Sequence, residues 1–323
     1  MGAPSRTWPE HAEYLTVSLR YFLRKVAQAI LIIWGVSTFV FIAIRMSGDP
    51  ITLMVSDTAG TEEVETLRRA YGFDRPIPVQ YAAFLQRVVR GDFGESLRFN
   101  LPALSVAADR LPATLALAVS STLVAVAIGL PAGILAAIRR NTLLDRVAMM
   151  SALLGQSTPT FWSGLLAIML FAAWWRLLPA SGGETWVHLI LPACTLGWFS
   201  AAKVSRILRS AILEVLSADF VRTARAKGVS SSRIFLRHVL RNALISVPAM
   251  LTLEFQLLLG GAIVTETVFA YPGMGRLVIQ AVGTRDYPLV QAIVFLFSFM
   301  LVLSNLLAEL VYALLGPRIT RPR

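Results

Sequence analysis

Long apolar runs, each broken by a short basic or mixed segment, set the pattern of this chain. Crossing the hydrocarbon of a membrane takes about 20 consecutive apolar residues in a helix. Six stretches meet that length, 26–44, 113–138, 147–173, 187–213, 244–270 and 288–315, and predict six transmembrane helices. Pro112 suits the first turn of the second, and Gly129, Pro131 and Gly133 inside it predict close helix packing or a kink. The fourth carries Lys203, Arg206 and Arg209 at i, i+3 and i+6, one stripe on a helix that continues past the membrane. The first run starts behind Arg24 and Lys25 and lacks an A-x-A-like exit, so it reads as a retained helix, not a cleaved signal peptide.

Between the first two spans, residues 45–112 have the pattern of a small helical cap. Thr61 suits the N-cap of a short helix, with Glu62 and Glu63 in its first turn, Arg68 and Arg69 near its end and Gly72 beyond. A second helix starts at Pro78 and puts Tyr81, Phe84, Leu85 and Val88 on one face at i, i+3, i+4 and i+7. The plainest role of such a cap is a packed lid without a ligand of its own.

The run "DFVRTARAKGVSSSRIFLRHVLRNALISVP", Asp219 to Pro248, departs from the apolar rule with five Arg, one Lys and one His against a single acid. Ser217 is a fair N-cap, and Asp219 falls in a first turn, where a carboxylate favours the helix dipole. A short helix then runs to Lys227 and stops at Gly228, the residue best suited to a left-handed C′ position. Ser230 to Ser232 supply the N-cap of a following helix. On it Ile234, Phe235, His238 and Val239 form an apolar strip that packs at the interface. Arg233, Arg237 and Arg241 form a basic strip at i, i+4 and i+8, fitted to lipid phosphates at a membrane surface. On the short helix Phe220, Thr223, Ala224 and Lys227 are small or reach outward, a poor lipid anchor but a fair docking surface for a partner protein.

Composition narrows the class. Of 323 residues, 56% are hydrophobic and only 15% charged, which excludes a soluble globule and indicates a polytopic membrane protein. A net charge of +11 would suggest nucleic acid in a soluble chain; here it points to the membrane surface, and no nucleic-acid partner is expected. The one cysteine, Cys194, excludes an internal disulfide and a cysteine-based zinc cluster. With the N-terminus inside, cytoplasmic segments hold 19 of the 30 bases against five acids, and outer segments hold 11 of each. The asymmetry predicts residues 1–25 and 316–323 as cytoplasmic tails of a transmembrane domain over 26–315, with 214–243 as its main cytoplasmic loop.

No G-x-x-x-x-G-K-[ST] occurs, and none of the three lysines, Lys25, Lys203 and Lys227, follows a glycine, so the chain should not hydrolyse ATP itself. H-E-x-x-H and G-x-S-x-G are absent, and His11, His188 and His238 are too scattered to suggest a metal site. No catalytic residue, metal site or cofactor is therefore expected in this chain. Three acids, Glu254, Glu266 and Glu309, fall within or near the ends of spans. A charge at mid-bilayer costs on the order of 3 kcal/mol on insertion scales, so such residues tend to be functional. They leave open a proton- or ion-coupled secondary carrier with the three as relay groups; hydrogen bonding at interfaces or between helices is the plainer role. Between the last two spans Pro272, Gly273 and Gly275 give turns instead of a through-going helix. Such a segment at membrane depth lines a cavity or packs on protein. Glu254, Glu266, Tyr271, Pro272, Gly273 and Asp286 are thus expected to line or close a translocation path, with Asp286 at its aqueous mouth. The plainer reading of "D-Y-P" is a cap on the last span.

At residues 222–228 the sequence resembles the cytoplasmic loop of permease subunits in bacterial ABC importers, whose pattern is E-A-A, three residues, a glycine and, after a long gap, a proline. Arg222, Thr223 and Ala224 stand at the E-A-A positions, Gly228 at the glycine and Pro248 near the end; Arg222 departs from the family's Glu. "RTARAKG" followed by "RHVLRNAL" is similar to the dipeptide, oligopeptide and nickel permease branch. So are "GDP" at Gly48–Pro50, "GFDRPIPVQY" at 72–81, "GDFGES" at 91–96, "RLPATLALA" at 110–118, "ETVFAYPGMG" at 266–275 and "RDYPLVQ" at 285–291. The resemblance runs from about residue 20 to the end of the chain.

It implies an all-α, six-helix subunit of the type I ABC importer permease fold in the bacterial inner membrane, with its cap on the extracytoplasmic side. Implied partners are a homologous second permease, two ATP-binding subunits that bind ATP and Mg, an extracytoplasmic substrate-binding protein and membrane lipids. Asp219, Phe220, Arg222, Thr223, Ala224, Arg225, Ala226, Lys227 and Gly228 would form the coupling helix that seats in a groove on an ATPase subunit. The solute would be a peptide or a related small molecule such as a nickel chelate, an opine or haem.

Overall fold

Apolar runs longer than a bilayer is thick fold as helices because a backbone in lipid must satisfy every N–H and C=O internally. The computed structural model describes residues 12–46, 61–70 and 74–315; its regular structure is helical, apart from one isolated bridge between Glu95 and Pro102. Helix α1 (Ala12–Met46) is followed by two cap helices, α2 (Thr61–Ala70) and α3 (Ile77–Val89). Next come α4 (Ala103–Ile138), α5 (Leu143–Ser157) and α6 (Thr160–Ala167), which continues as a π-helical segment over Ile168–Trp174. Long α7 (Val187–Ser217) leads to short α8 (Asp219–Ala226). Helix α9 starts at Ser231–Arg233, widens to a π-helical stretch over Ile234–Leu240 and closes at Arg241–Ala243. A 3-10 turn, Leu244–Ser246, opens into α10 (Val247–Val268), and α11 (Met274–Gly283) and α12 (Tyr287–Leu315) follow.

Five of these helices carry stretches long and apolar enough to cross a membrane: Leu23–Ala43, Ala103–Ile138, Val187–Ser217, Met250–Val268 and Tyr287–Glu309. The remaining apolar run, expected as a span over 147–173, is a bent helix pair, Leu143–Ser157 and Thr160–Trp174, and makes a sixth candidate span when the pair is counted as one. Helices α5 and α6 meet at 106°. The cause is local: Pro159 lacks an N–H, and its ring holds Thr158 in an extended conformation at ψ 126°. Pro112, expected to start the second span, lies inside α4. The helix begins earlier because Ala103, Val106 and Ala107 bury against the core, and that packing outweighs the hydrogen bond Pro112 removes. Helix α1 likewise reaches back to Ala12, into the segment expected as a tail.

Helices α4 and α7 form the central pair, and their backbones touch. A Cβ on Gly129 would lie 2.8 Å from Ala201 O, one on Gly133 2.7 Å from Ser205 O, and one on Gly197 2.7 Å from Ser121 O. Small residues at these positions let the two helices close, the packing that spans without a hydrophobic driving force between them require. The cap helix α3 docks on the end of α1 through the face its spacing predicted. Phe41 stacks at 5.2 Å from both Tyr81 and Phe84, and Thr38 Oγ1 lies 2.7 Å from Tyr81 Oη. Gly48–Pro50 and Gly72 lie outside the described residues.

Candidate functional site

The short helix α8 is held at the end of the bundle by one side chain. Val221 is 0% exposed, in a cluster with Leu208 and Ile212 of α7 and Ile234, Val239 and Ala243 of α9. Asp219, Phe220, Arg222, Thr223, Arg225, Ala226, Lys227 and Gly228 are exposed, and Ala224 is half-buried. The outward residues are legible from the sequence, and Val221 is not among those it predicted, although it is the one β-branched aliphatic in this helix. Arg222 and Asp219 pair at 3.6 Å with both side chains mostly in solvent, a contact of little energetic weight.

Helix α8 ends as its glycine predicts. Gly228 has φ +74°, its N–H donates to Arg225 O at 2.9 Å, and Val229 N–H donates to Ala224 O at 3.2 Å. This double bond pattern is the Schellman motif, which needs a left-handed C′ residue. At the other end the expectation fails. Ser217 does not cap α8: its hydroxyl donates to Glu214 O at 2.7 Å, and extended Ala218 holds the N-cap position with no side-chain bond. Ser230 takes the N-cap position of α9, also without a side-chain bond. The π-helical stretch changes which residues α9 buries. Ile234 and Val239, five apart, both face the cluster, which the wider turn permits, while His238, expected in the apolar strip, is exposed. Arg233, Arg237 and Arg241 are exposed.

Two ion pairs tie α7 to its neighbours. Asp145 is buried and accepts a forked pair from Arg209, Nε at 2.7 Å and Nη2 at 2.8 Å, plus the Asn141 N–H at 2.9 Å. Glu254, 5% exposed, meets Lys203 Nζ at 3.1 Å and accepts from Ser200 Oγ at 3.0 Å. Of the expected basic stripe on α7, only Arg206 is therefore exposed; the other two bases neutralise buried carboxylates. Glu309 pairs with Lys25, joining the last span to the first.

The acids flanking α11 turn inward. Glu266 is 0% exposed at the end of α10; Thr114 Oγ1 donates to Oε1 at 2.7 Å and Arg276 N–H to Oε2 at 3.0 Å. A Cβ on Gly273 would overlap this carboxylate, and one on Gly275 would lie 2.5 Å from Ile263 Cα, so the turn after Tyr271 closes over the acid only with glycine. Tyr271 is buried beside it, and burial pushes its phenol up, with Glu266 adding to the shift. Asp286, expected at an aqueous mouth, is 1% exposed. It caps α12 through the Leu289 N–H at 3.2 Å, and it also accepts from Ser96 Oγ and, at 3.2 Å, from the Arg98 N–H. The capping alternative is the geometry found, with a second role as the anchor of the loop before α4. Pro272 is half-buried in the turn above Glu266. Among the described residues no group of three or more His, Cys, Asp or Glu could hold a metal ion.

Comparison with known proteins decides the family. The profile "Binding-protein-dependent transport system inner membrane component" matches residues 129–321, and "Binding-prot-dependent transport system membrane comp, N-term" matches residues 18–118. The chain belongs to this family. The permease is 41% identical over 302 residues to the "Glutathione transport system permease protein GsiC" of Escherichia coli strain K12 and of Shigella dysenteriae serotype 1, covering 93% of this chain and 99% of each relative. Among solved structures, the inward-facing MetNI methionine ABC transporter matches with TM-score 0.56 at 20% identity, over 65% of this chain and 96% of that one. An amino acid ABC transporter with histidines matches with TM-score 0.54 at 20% identity, over 65% and 94%.

The fold is that of type I ABC importer permeases, and the permease is a multi-pass inner-membrane subunit of an ABC importer. It is the permease component and not the ATPase, and its family works with ATP-binding and substrate-binding partners. A secondary carrier is not favoured. Glu254 pairs with Lys203, Glu266 accepts from Thr114, and Glu309 pairs with Lys25.

Proposed function

We propose that the permease pairs with a homologous second permease to form the path for a small peptide or a chemically related solute. An extracytoplasmic substrate-binding protein delivers the solute, and two ATP-binding subunits, which hold ATP and Mg, drive the passage. The peptide class rests on the 41% identity to a permease named for glutathione. Both termini lie in the cytoplasm, in keeping with the bias of bases toward the α8 end. Glu254, Glu266, Tyr271, Pro272, Gly273 and Asp286 act on the path by fixing the positions of the α7, α10 and α11 walls. The exposed Arg233, Arg237 and Arg241 meet lipid headgroups.

The observation that carries the reading is α8 itself, an eight-residue helix with one buried anchor and an outward face of Phe220, Arg222, Thr223 and Arg225. Isolated helices this short are marginal in water, so its rigidity comes from Val221 and the Gly228 corner, and its free face suits a groove on an ATP-binding subunit. Copurification tests this. Phe220→Ala with Arg225→Ala should lower retention of the ATP-binding subunits while leaving the permease at normal abundance in the membrane. Undiminished retention would refute α8 as the contact.

A further inference from the structure

Beyond the two buried acids lies an open cleft of about 250 Å³. Its walls are the loop before α4 with Arg98, helix α4 with Arg110, and the α10–α11 turn and α11 with Pro272, Gly273, Arg276 and Gln280. Three arginines thus line one space. Among the described residues none of the three stands in an ion pair; Arg276 Nη1 donates to Ala270 O at 2.5 Å, and Arg98 lies 5.5 Å from the Phe99 ring. Glu266 and Asp286 are engaged on the inner side, where they accept from the backbone N–H of Arg276 and of Arg98; Asp109, next to Arg110, and Glu184, next to Gly183 that packs on Pro272, are exposed. The two buried acids pin the walls and the three arginines present the surface.

A cleft lined by one sign of charge, with low-dielectric walls behind it, concentrates counter-ions. Guanidinium groups bind carboxylates through parallel N–H···O pairs, stronger than neutral hydrogen bonds. We propose that this cleft is a receiving site for a free carboxylate of the transported solute, engaged as the solute enters the path beside the Pro272–Gly273 turn. The proposal rests on the importer reading above and adds the chemical group that is recognised. Its volume, several times the roughly 30 Å³ share of one water, admits a small-molecule headgroup with apolar contact from Leu277. The other source of the same chemistry is an acidic side chain of the binding protein, which the test separates.

The test uses the whole importer in nanodiscs without binding protein, probed by saturation-transfer NMR with glutarate and with its neutral isostere glutaramide. Wild type should transfer saturation to glutarate and about tenfold less to glutaramide, the loss expected when a charge-assisted bond becomes neutral. The Arg98→Gln/Arg110→Gln double variant should lose the glutarate signal to a similar degree. Equal signals from the two probes on wild type overturn the proposal without recourse to any variant. A second arm titrates the binding protein against both nanodisc preparations, and its affinity should agree within about twofold, as for exposed ion pairs. If docking collapses while the glutarate signal survives, the arginines serve the partner's acidic surface and the solute assignment is wrong. Retention of the ATP-binding subunits, scored on the same samples, tells failure of this site from failure of the importer reading.

Discussion

Thr114 on α4 donates its hydroxyl proton to Glu266 at the end of α10, 2.7 Å away and 152 positions along the chain. The same oxygen accepts the Met274 N–H at 2.8 Å, so one threonine joins α4, α10 and α11. Thr114→Val keeps the shape and removes both bonds. It leaves a fully buried carboxylate and a backbone N–H short of partners, at about 1–3 kcal/mol each. The thermal unfolding midpoint of the solubilised chain should fall, and Thr114→Ser should stay close to wild type. A Val variant as stable as wild type would mean that the backbone N–H groups of Gly275 and Arg276 suffice to hold Glu266.

How far the sequence foretold this arrangement depends on the range of the interaction involved. The Gly228 corner and the α3 face of Tyr81, Phe84, Leu85 and Val88 were legible because turn chemistry and helical spacing act over a few residues. The existence of the spans was legible from hydropathy. Their shape was not: an apolar count over 147–173 cannot register a 106° break, although Pro159 marks it, because lipid-facing segments carry no polar stripe to interrupt. The burial of Glu266 and Asp286 was illegible for another reason. Their partners, Thr114 and Ser96, stand 152 and 190 positions away, and nothing near either acid announces them. Val221 lies between these cases, since its burial follows from the helix only once the direction of the bundle is known.

Lys203 and Glu254 bridge α7 and α10 at 3.1 Å within the membrane-spanning part of the bundle. Removing one member of a buried pair leaves a bare charge and costs about 3–5 kcal/mol, whereas replacing both with apolar groups is often neutral. Glu254→Leu should therefore lower the abundance of folded permease strongly, and Lys203→Met with Glu254→Leu should restore it. Fluorescence-detected size exclusion of membrane extracts reads both. A double variant as depleted as the single one would show that the charges serve more than each other.

Topology is tested with single cysteines in a Cys194→Ser background. Ser181, in the loop before α7, and Ser231, at the start of α9, are both exposed and stand at opposite ends of the bundle in the proposed orientation. An impermeant thiol reagent should label Ser181→Cys in intact spheroplasts and Ser231→Cys only after lysis. Reversed labelling would place the termini outside.

The corner at Gly228 offers the sharpest separation of coupling from folding. Its φ is +74°, and a Cβ built there meets nothing within 4 Å, so a substitution acts through the backbone and not through a clash. For a β-branched residue the left-handed conformation costs about 1–2 kcal/mol. That is too little to disturb insertion of spans that each hold some 20 apolar residues. The strain falls instead on the Val229 to Ala224 bond that closes α8, and relief comes by swinging the helix about its Val221 anchor. Gly228→Val should leave the permease at normal abundance while lowering retention of the ATP-binding subunits or substrate-stimulated ATP hydrolysis. Gly228→Asn tolerates the left-handed region and should lose less. Arg233→Gln, on the exposed stripe of α9, should lose least. Quantitative copurification and ATPase assays on the reconstituted complex rank the three. Full coupling in Gly228→Val would refute the corner as a joint, and disappearance of the chain from the membrane would assign Gly228 to folding.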